Sequence, residues 1–140
     1  MDMKIYFPGG KRVYADYRGF TIETDQPVMG GGDDSAPAPF DLFLASIGTC
    51  AGIYVLGFLQ HRGLPTEGAS LEMSTHYDRA TGYVDKIDIL VHLPAGFPEK
   101  YRAAVINAVN QCAVKRHMHQ PPEFAVTTDI REMEPAQQAE

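Results

Sequence analysis

The sequence predicts an α+β fold in a single domain spanning 1–140, with an N-terminal β-meander, a long central cysteine-bearing helix, a β-hairpin, a second helix and a final strand. Three observations carry this. Short alternating runs broken by glycine turns open the chain, one long uncharged apolar run at helical spacing follows, and a second set of strictly alternating runs comes after it. A chain of 140 residues is of the size that closes around one core.

The first elements are MKIYF (3–7), KRVYADY (11–17) and FTIETD (20–25), separated by Pro8-Gly9-Gly10 and Gly19, which read as three strands joined by tight turns. From Gln26 to Pro39 the chain is rich in Gly, Pro and Asp and has no period, so residues 26–39 are expected as a flexible loop. Phe40 to Arg62 then has the length and spacing of a helix, and Gly63-Leu64-Pro65 supplies its stop. Its stripe is Phe40, Phe43, Ile47, Cys50, Ala51, Tyr54 and Phe58.

ASLEMSTHYD (69–78) and YVDKIDILVHL (83–93) alternate on either side of Arg79-Ala80-Thr81-Gly82, the pattern of a long antiparallel hairpin with one buried face. Pro98 and Glu99 suit the first turn of a helix running to about Gln111, with Tyr101, Val105, Ala108, Val109 and Cys112 on one face. A short AVKRHMH segment stops at Pro121-Pro122, FAVTTDI (124–130) alternates as the closing strand, and residues 134–140 are expected to fray.

The central helix is apolar on nearly all sides: Leu42 to Leu59 carries no charged residue and would extend about 27 Å at 1.5 Å per residue. A membrane span is disfavoured by Ser46, Gly48, Thr49, Gly52 and Gly57 within it and by the missing cationic flank on one side. A helix buried all round exceeds what so short a chain encloses alone, which points to a homodimer. Gly48 and Gly52, with Ala45, predict close approach of another helix.

Apolar residues at 44% and charged residues at 21% are ordinary globular values, and a net charge of -6 argues against nucleic-acid partners. The N-terminus reads as strand and turn rather than as a signal peptide, so the expected location is the cytoplasm, where thiols stay reduced. Cys112, His117 and His119 form C-x4-H-x-H, but histidines two apart on a helix diverge, and neither a metal nor any other cofactor is expected. Gly30-Gly31-Gly32 lacks the Gly-Lys-Ser/Thr of a phosphate loop, His61 and His76 have no motif around them, and no G-x-S-x-G elbow is present.

Chemistry therefore centres on the two cysteines, Cys50 in the central helix and Cys112 at the end of the second. An ordinary thiol with a pKa of about 8.5 is only about 3% thiolate at pH 7, so a reactive one needs a nearby cation. Arg12 and Arg18 in the meander and Lys115 and Arg116 after Cys112 are the available cations. The plain alternative is that both cysteines are small core residues.

The run PAPFDLFLASIGTCAGIYV resembles the Pro-x-x-Leu-(apolar/small)-Cys helix of the OsmC/Ohr family, and QCAVKRHMHQPPEF resembles that family's second-cysteine segment, with Ala113 where Pro is common. The order of elements and the cysteine separation fit as well, so the likeness covers nearly the whole chain. It implies an intertwined homodimer with two central helices wrapped by sheets from both chains, and thiol-dependent reduction of organic hydroperoxides. Cys50 would be the peroxidatic residue and Cys112 the resolving one, reset by an external dithiol. Organic hydroperoxide resistance proteins place a Glu after the helix-opening proline, paired with an arginine of the N-terminal hairpin. Here Phe40 follows Pro39, Asp41 lies about 100° further round a helix, and either Arg12 or Arg18 matches the arginine.

Two functions follow. One is a peroxidase working through Cys50 and Cys112 with help from Arg12 or Arg18. The other is a non-catalytic or redox-sensing module that binds a small apolar molecule at the dimer seam, lined by Phe40, Phe43 and Tyr54.

Overall fold

In the computed structural model, which describes residues 2–130, the N-terminal alternation builds an antiparallel meander of β1 (Lys4–Gly9), β2 (Arg12–Tyr17) and β3 (Phe20–Thr24) in the order β1-β2-β3. Ile5 stands opposite Ala15 and Ala15 opposite Ile22, so one face carries the apolar set. The β2–β3 turn holds Arg18 at φ 51° and Gly19 at φ 84°, both left-handed as a two-residue hairpin of this twist requires.

The following segment is organised around one carboxylate. Asp25 is 1% exposed and accepts hydrogen bonds from the Gln26 N–H at 2.8 Å, the Asp33 N–H at 3.2 Å, the Ser35 N–H at 3.1 Å and the Ser35 hydroxyl at 2.6 Å. Those bonds, first of all from the Ser35 side chain, hold the carboxyl down at about 2. A Cβ on Gly32 would lie 2.0 Å from the Gln26 carbonyl oxygen and 2.8 Å from Asp25 Oδ1, so only glycine fits. The stretch expected as a flexible loop thus carries a buried anchor that composition alone does not reveal.

Helix α1 (Pro39–His61) starts with proline in its first turn, and Asp41 Oδ2 reaches back to accept the Ala38 N–H at 3.0 Å. It ends in a left-handed Gly63, φ 60°, with Leu64 N–H bonded to Leu59 O at 2.9 Å and Gly63 N–H to Gln60 O at 3.1 Å, the paired bonds of a Schellman cap. Ile47, Ala51, Val55, Phe58 and Leu59 are its buried residues. Against the expected stripe, Phe40 and Phe43 are exposed at the open end and Val55 and Leu59 take the core.

The hairpin of β4 (Ser70–Tyr77) and β5 (Val84–His92) pairs Leu71 with Val91, Met73 with Ile89 and Thr75 with Ile87 on the inward face. This face covers the small residues of α1. A Cβ on Gly48 would be 3.7 Å from Met73 Sδ and one on Gly52 3.9 Å from Leu71 Cδ1, so these glycines admit a strand of the same chain and not the second helix anticipated there.

A 3-10 turn at Glu99–Tyr101 leads into α2 (Arg102–Asn110), whose Val105 and Val109 complete the core against Ala51, Val55, Phe58 and Leu59. Arg62 stacks over the Phe58 ring at 3.8 Å and the Tyr101 ring at 5.4 Å, covering the end of that cluster. The last helix is α3 (Ala113–His119).

The expected closing strand at 124–130 is a correction, because these residues form no strand. Phe124, Val126 and Ile130 are 86%, 91% and 95% exposed. Alternation marks which side chains would share a buried face, but a strand also needs an edge to pair with, and the chain brings none to this segment. The frayed tail expected at 134–140 lies outside the described residues.

α1 is long and apolar enough by length and composition to cross a membrane, with a mean hydropathy of 2.0. Here it serves as the central element on which α2, α3 and the hairpin pack.

Candidate active site

Cys50 sits half-buried at the middle of α1, one position before the fully buried Ala51. Cys112 is brought to it by a break between helices. Gln111 ends α2, Cys112 turns extended at φ -50° and ψ 127°, and α3 begins at the next residue. The Cys112 N–H bonds to Val109 O at 3.2 Å and its carbonyl accepts the Arg116 N–H at 3.0 Å, fixing the backbone on both sides. Both cysteines are free thiols, and Cys112 is 0% exposed.

The two thiols are close enough to act on each other's ionisation, and the start of α3 acts on both. Burial pushes the Cys50 thiol up, but hydrogen bonds from the Cys112 thiol and from the Val114 and Ala113 N–H groups, with the charge of Arg116, outweigh it and leave Cys50 below the ordinary thiol value. Cys112 goes the opposite way. Burial raises it first, then its bond to Cys50, and the N–H groups of Lys115 and Val114 offset only part of that. Of the two thiols Cys50 is therefore the one that ionises first, which sets two like groups apart.

The cation acting on Cys50 within this chain is Arg116. Arg12 donates from Nε to Gly9 O at 3.2 Å inside its own hairpin, and Arg18 lies 6.0 Å from the Tyr17 ring centroid at the next turn, so the chain does not bring either to the thiol. Lys115 is turned away onto Asn110 Oδ1 at 2.9 Å. Asp41 is occupied as the cap of α1 and does not take the place of the carboxylate replaced by Phe40.

An almost wholly apolar groove of about 500 Å³ opens beside the α3 start, lined by Phe43, Ala113, Val114, His117, Met118, Pro121 and Pro122. Phe40 stacks on Phe43 with centroids 5.5 Å apart. Tyr54 is not with them. It lines a separate groove with Ile53, Gly57, Phe58, His61, Arg62 and Ala108. Sequence reasoning missed the amide donors of Ala113 and Val114, which leave no mark in side-chain chemistry. Their one signal was a short helical segment restarting directly after a cysteine. Among the described residues no group of three His, Cys, Asp or Glu is placed to hold a metal, and His117 Nδ1 is engaged with Ala113 O at 2.7 Å.

The profile of the OsmC-like protein family matches residues 31–127, a stretch that contains both cysteines and every element from α1 onward. The chain belongs to the OsmC-like family. Solved structures of the same fold include an osmotic stress induced and detoxification response protein from Psychrobacter arcticus 273-4, with a TM-score of 0.69 and 21% identity over 81% of this chain and 85% of that one. An OsmC like protein from Mycoplasma pneumoniae superposes with a TM-score of 0.67 at 11% identity, covering 86% of this chain and 87% of its own. An organic hydroperoxide resistance protein OsmC from Legionella pneumophila gives 0.54 at 16% identity, covering 84% and 89%. No curated protein sequence matches. At these identities the OsmC-like fold is what the chain shares with its neighbours.

Proposed function

We propose that this OsmC-like protein is a thiol peroxidase for organic hydroperoxides, and the observation that carries the reading is the pairing of two free thiols that act on each other in opposite directions, Cys50 lowered and the buried Cys112 raised. Cys50 thiolate attacks the terminal oxygen of the hydroperoxide. An S–O bond forms, the O–O bond breaks, and the alkoxide leaves and takes a proton from solvent as the alcohol, giving a sulfenic acid at Cys50. Cys112, still protonated and adjacent, condenses with it to a disulfide and releases water. An external dithiol then reduces that disulfide and is itself oxidised.

The groove beside α3 supports an apolar substrate, since apart from His117 its lining of Phe43, Ala113, Val114, Met118 and two prolines is apolar. The reading includes a cytoplasmic setting and a homodimer. Ile53 at 59% and Leu56 at 37% exposure on α1, together with the apolar side chains of 124–130, are surfaces that a second copy would cover. In such a dimer a meander arginine from the other copy, Arg12 or Arg18, is free to approach Cys50. The deciding experiment is titration of free thiols against an alkyl hydroperoxide. Wild type should lose two thiols per chain and Cys50→Ser none, and an unchanged thiol count in wild type overturns the reading.

A second reading, a non-catalytic or redox-sensing module for a small apolar ligand, is favoured by the apolar Tyr54 groove of about 440 Å³ and by Phe40 in place of a carboxylate. It predicts binding of an apolar fluorescent probe that Cys50→Ser leaves intact.

A further inference from the structure

Two apolar hollows lie side by side along α1, and one side chain stands between them. The groove beside α3 takes Phe43 from α1, and a second cavity of about 290 Å³ takes Ile47, which lies one turn further along the same face of that helix. Val84, Ile87 and Ile89 of β5 supply the opposite wall of the second cavity. Met118 of α3 lines both hollows, and no other described residue does. The polar groups around the second cavity are already solvated or paired: Asp85 and His119 are exposed, Lys86 is bonded to Asp88 Oδ2 at 2.9 Å, and Lys115 is bonded to Asn110 Oδ1 at 2.9 Å. What remains on offer is an apolar surface, which suits an alkyl chain.

We propose that Met118 is a specificity-determining residue: its side chain closes the groove beside α3 off from the second cavity and so limits the length of alkyl chain that a hydroperoxide can bury beside the residues following Cys112. Its substrate class, straight-chain alkyl hydroperoxides of limited length, rests on the peroxidase reading above. Methionine suits a partition of this kind, because its unbranched thioether fills a gap between two apolar surfaces and asks for no hydrogen bond. Met118 is 48% exposed and takes no part in the core that α1 and α2 build. Shortening it therefore removes the wall and leaves the core packing in place.

A chain-length profile tests this, since a general loss of stability does not imitate it. With butyl, hexyl, octyl and decyl hydroperoxides, kcat/KM of the full wild-type chain should rise about fourfold for each methylene that the groove buries and then level off. Met118→Ala joins the two hollows, so the rise should continue and the decyl-to-butyl ratio should grow about tenfold, the worth of roughly two further methylenes. Met118→Leu keeps the bulk and should keep the wild-type limit. Adding Val84→Phe to Met118→Ala fills the second cavity from the hairpin side and should bring the limit back. Binding is read apart from chemistry in Cys50→Ser, with Met118 native or replaced by Ala, by displacing N-phenylnaphthylamine with the matching primary alcohols, which are the products of the reaction. The same extension should appear there, and probe held in the Tyr54 groove does not respond to Met118, which is not part of that lining. A length profile that Met118→Ala leaves unchanged in either measurement overturns the proposal, as does a probe that no alcohol displaces. If no hydroperoxide is consumed while Met118→Ala lengthens the alcohols bound, the peroxidase reading falls and the role of Met118 stands.

Discussion

Cys50 and Cys112 gain their difference from position and not from kind. Each is a free thiol with burial acting against ionisation, and what separates them is that Cys50 collects donors while Cys112 gives one. Arg116→Gln should therefore raise the Cys50 pKa, and the alkylation profile checks it. Arg12→Ala and Arg18→Ala, compared beside it, measure any cation that a second copy supplies from its meander. If only Arg116→Gln moves the profile, the activating charge belongs to the same chain as the thiol. Cys112→Ser should leave the first oxidation intact and stall at a sulfenic acid trappable by dimedone. Both cysteines were legible in the sequence because chemistry restricts thiols to few positions. The cation was not, since spacing ranks Arg12, Arg18 and Arg116 equally until α3 folds back on α1.

Elements were legible where a period ran for several turns or pairs. The meander, α1, the β4–β5 hairpin and α2 all carry such periods, whereas the loop anchored on Asp25 and the segment 124–130 are decided by partners distant in sequence. Leu59 is fully buried at the cap of α1, so Leu59→Ala should cost about 2–5 kcal/mol, measured from the urea midpoint at constant slope. Gly32→Ala should destabilise by about 1–3 kcal/mol, because the added methyl meets backbone that cannot move aside. Asp25 gives the loop an acid dependence of definite sign. Its carboxyl falls from an ordinary 3.8 to about 2 on folding, so the stabilisation is fully present above about pH 4 and is lost as pH drops through about 2. Exchange protection of the Asp33 and Ser35 amides should decay over that window, and protection that persists to below pH 2 would mean that Asp25 does not hold the loop.

At the scale of the whole molecule, sequence and structure disagree about what covers α1. Its apolar breadth is real, but the glycines assigned to a neighbouring helix lie under the hairpin, and the uncovered part is the side bearing Ile53 and Leu56. Equilibrium sedimentation at micromolar concentration should find the proposed homodimer, and a stable folded monomer would count against it. Oxidation should also raise stability. A Cys50–Cys112 bond closes a loop of about 60 residues, worth about 4 kcal/mol in the chain-entropy picture when the native geometry is unstrained. Thermal melts of the reduced and oxidised forms measure the difference.

The contact between the two sulfurs has a consequence for the path by which the chain reaches this structure. The meander and the hairpin close between neighbours in sequence and are quick to form, while α1 and the start of α3 meet only across a long intervening stretch. In the unfolded chain both thiols revert to ordinary behaviour and label at similar rates. Once the junction is made, Cys112 is shut away and Cys50 is quickened. The ratio of label on the two cysteines after a short pulse of alkylating reagent is then a clock for the final long-range step of folding, read from two native residues without an added probe.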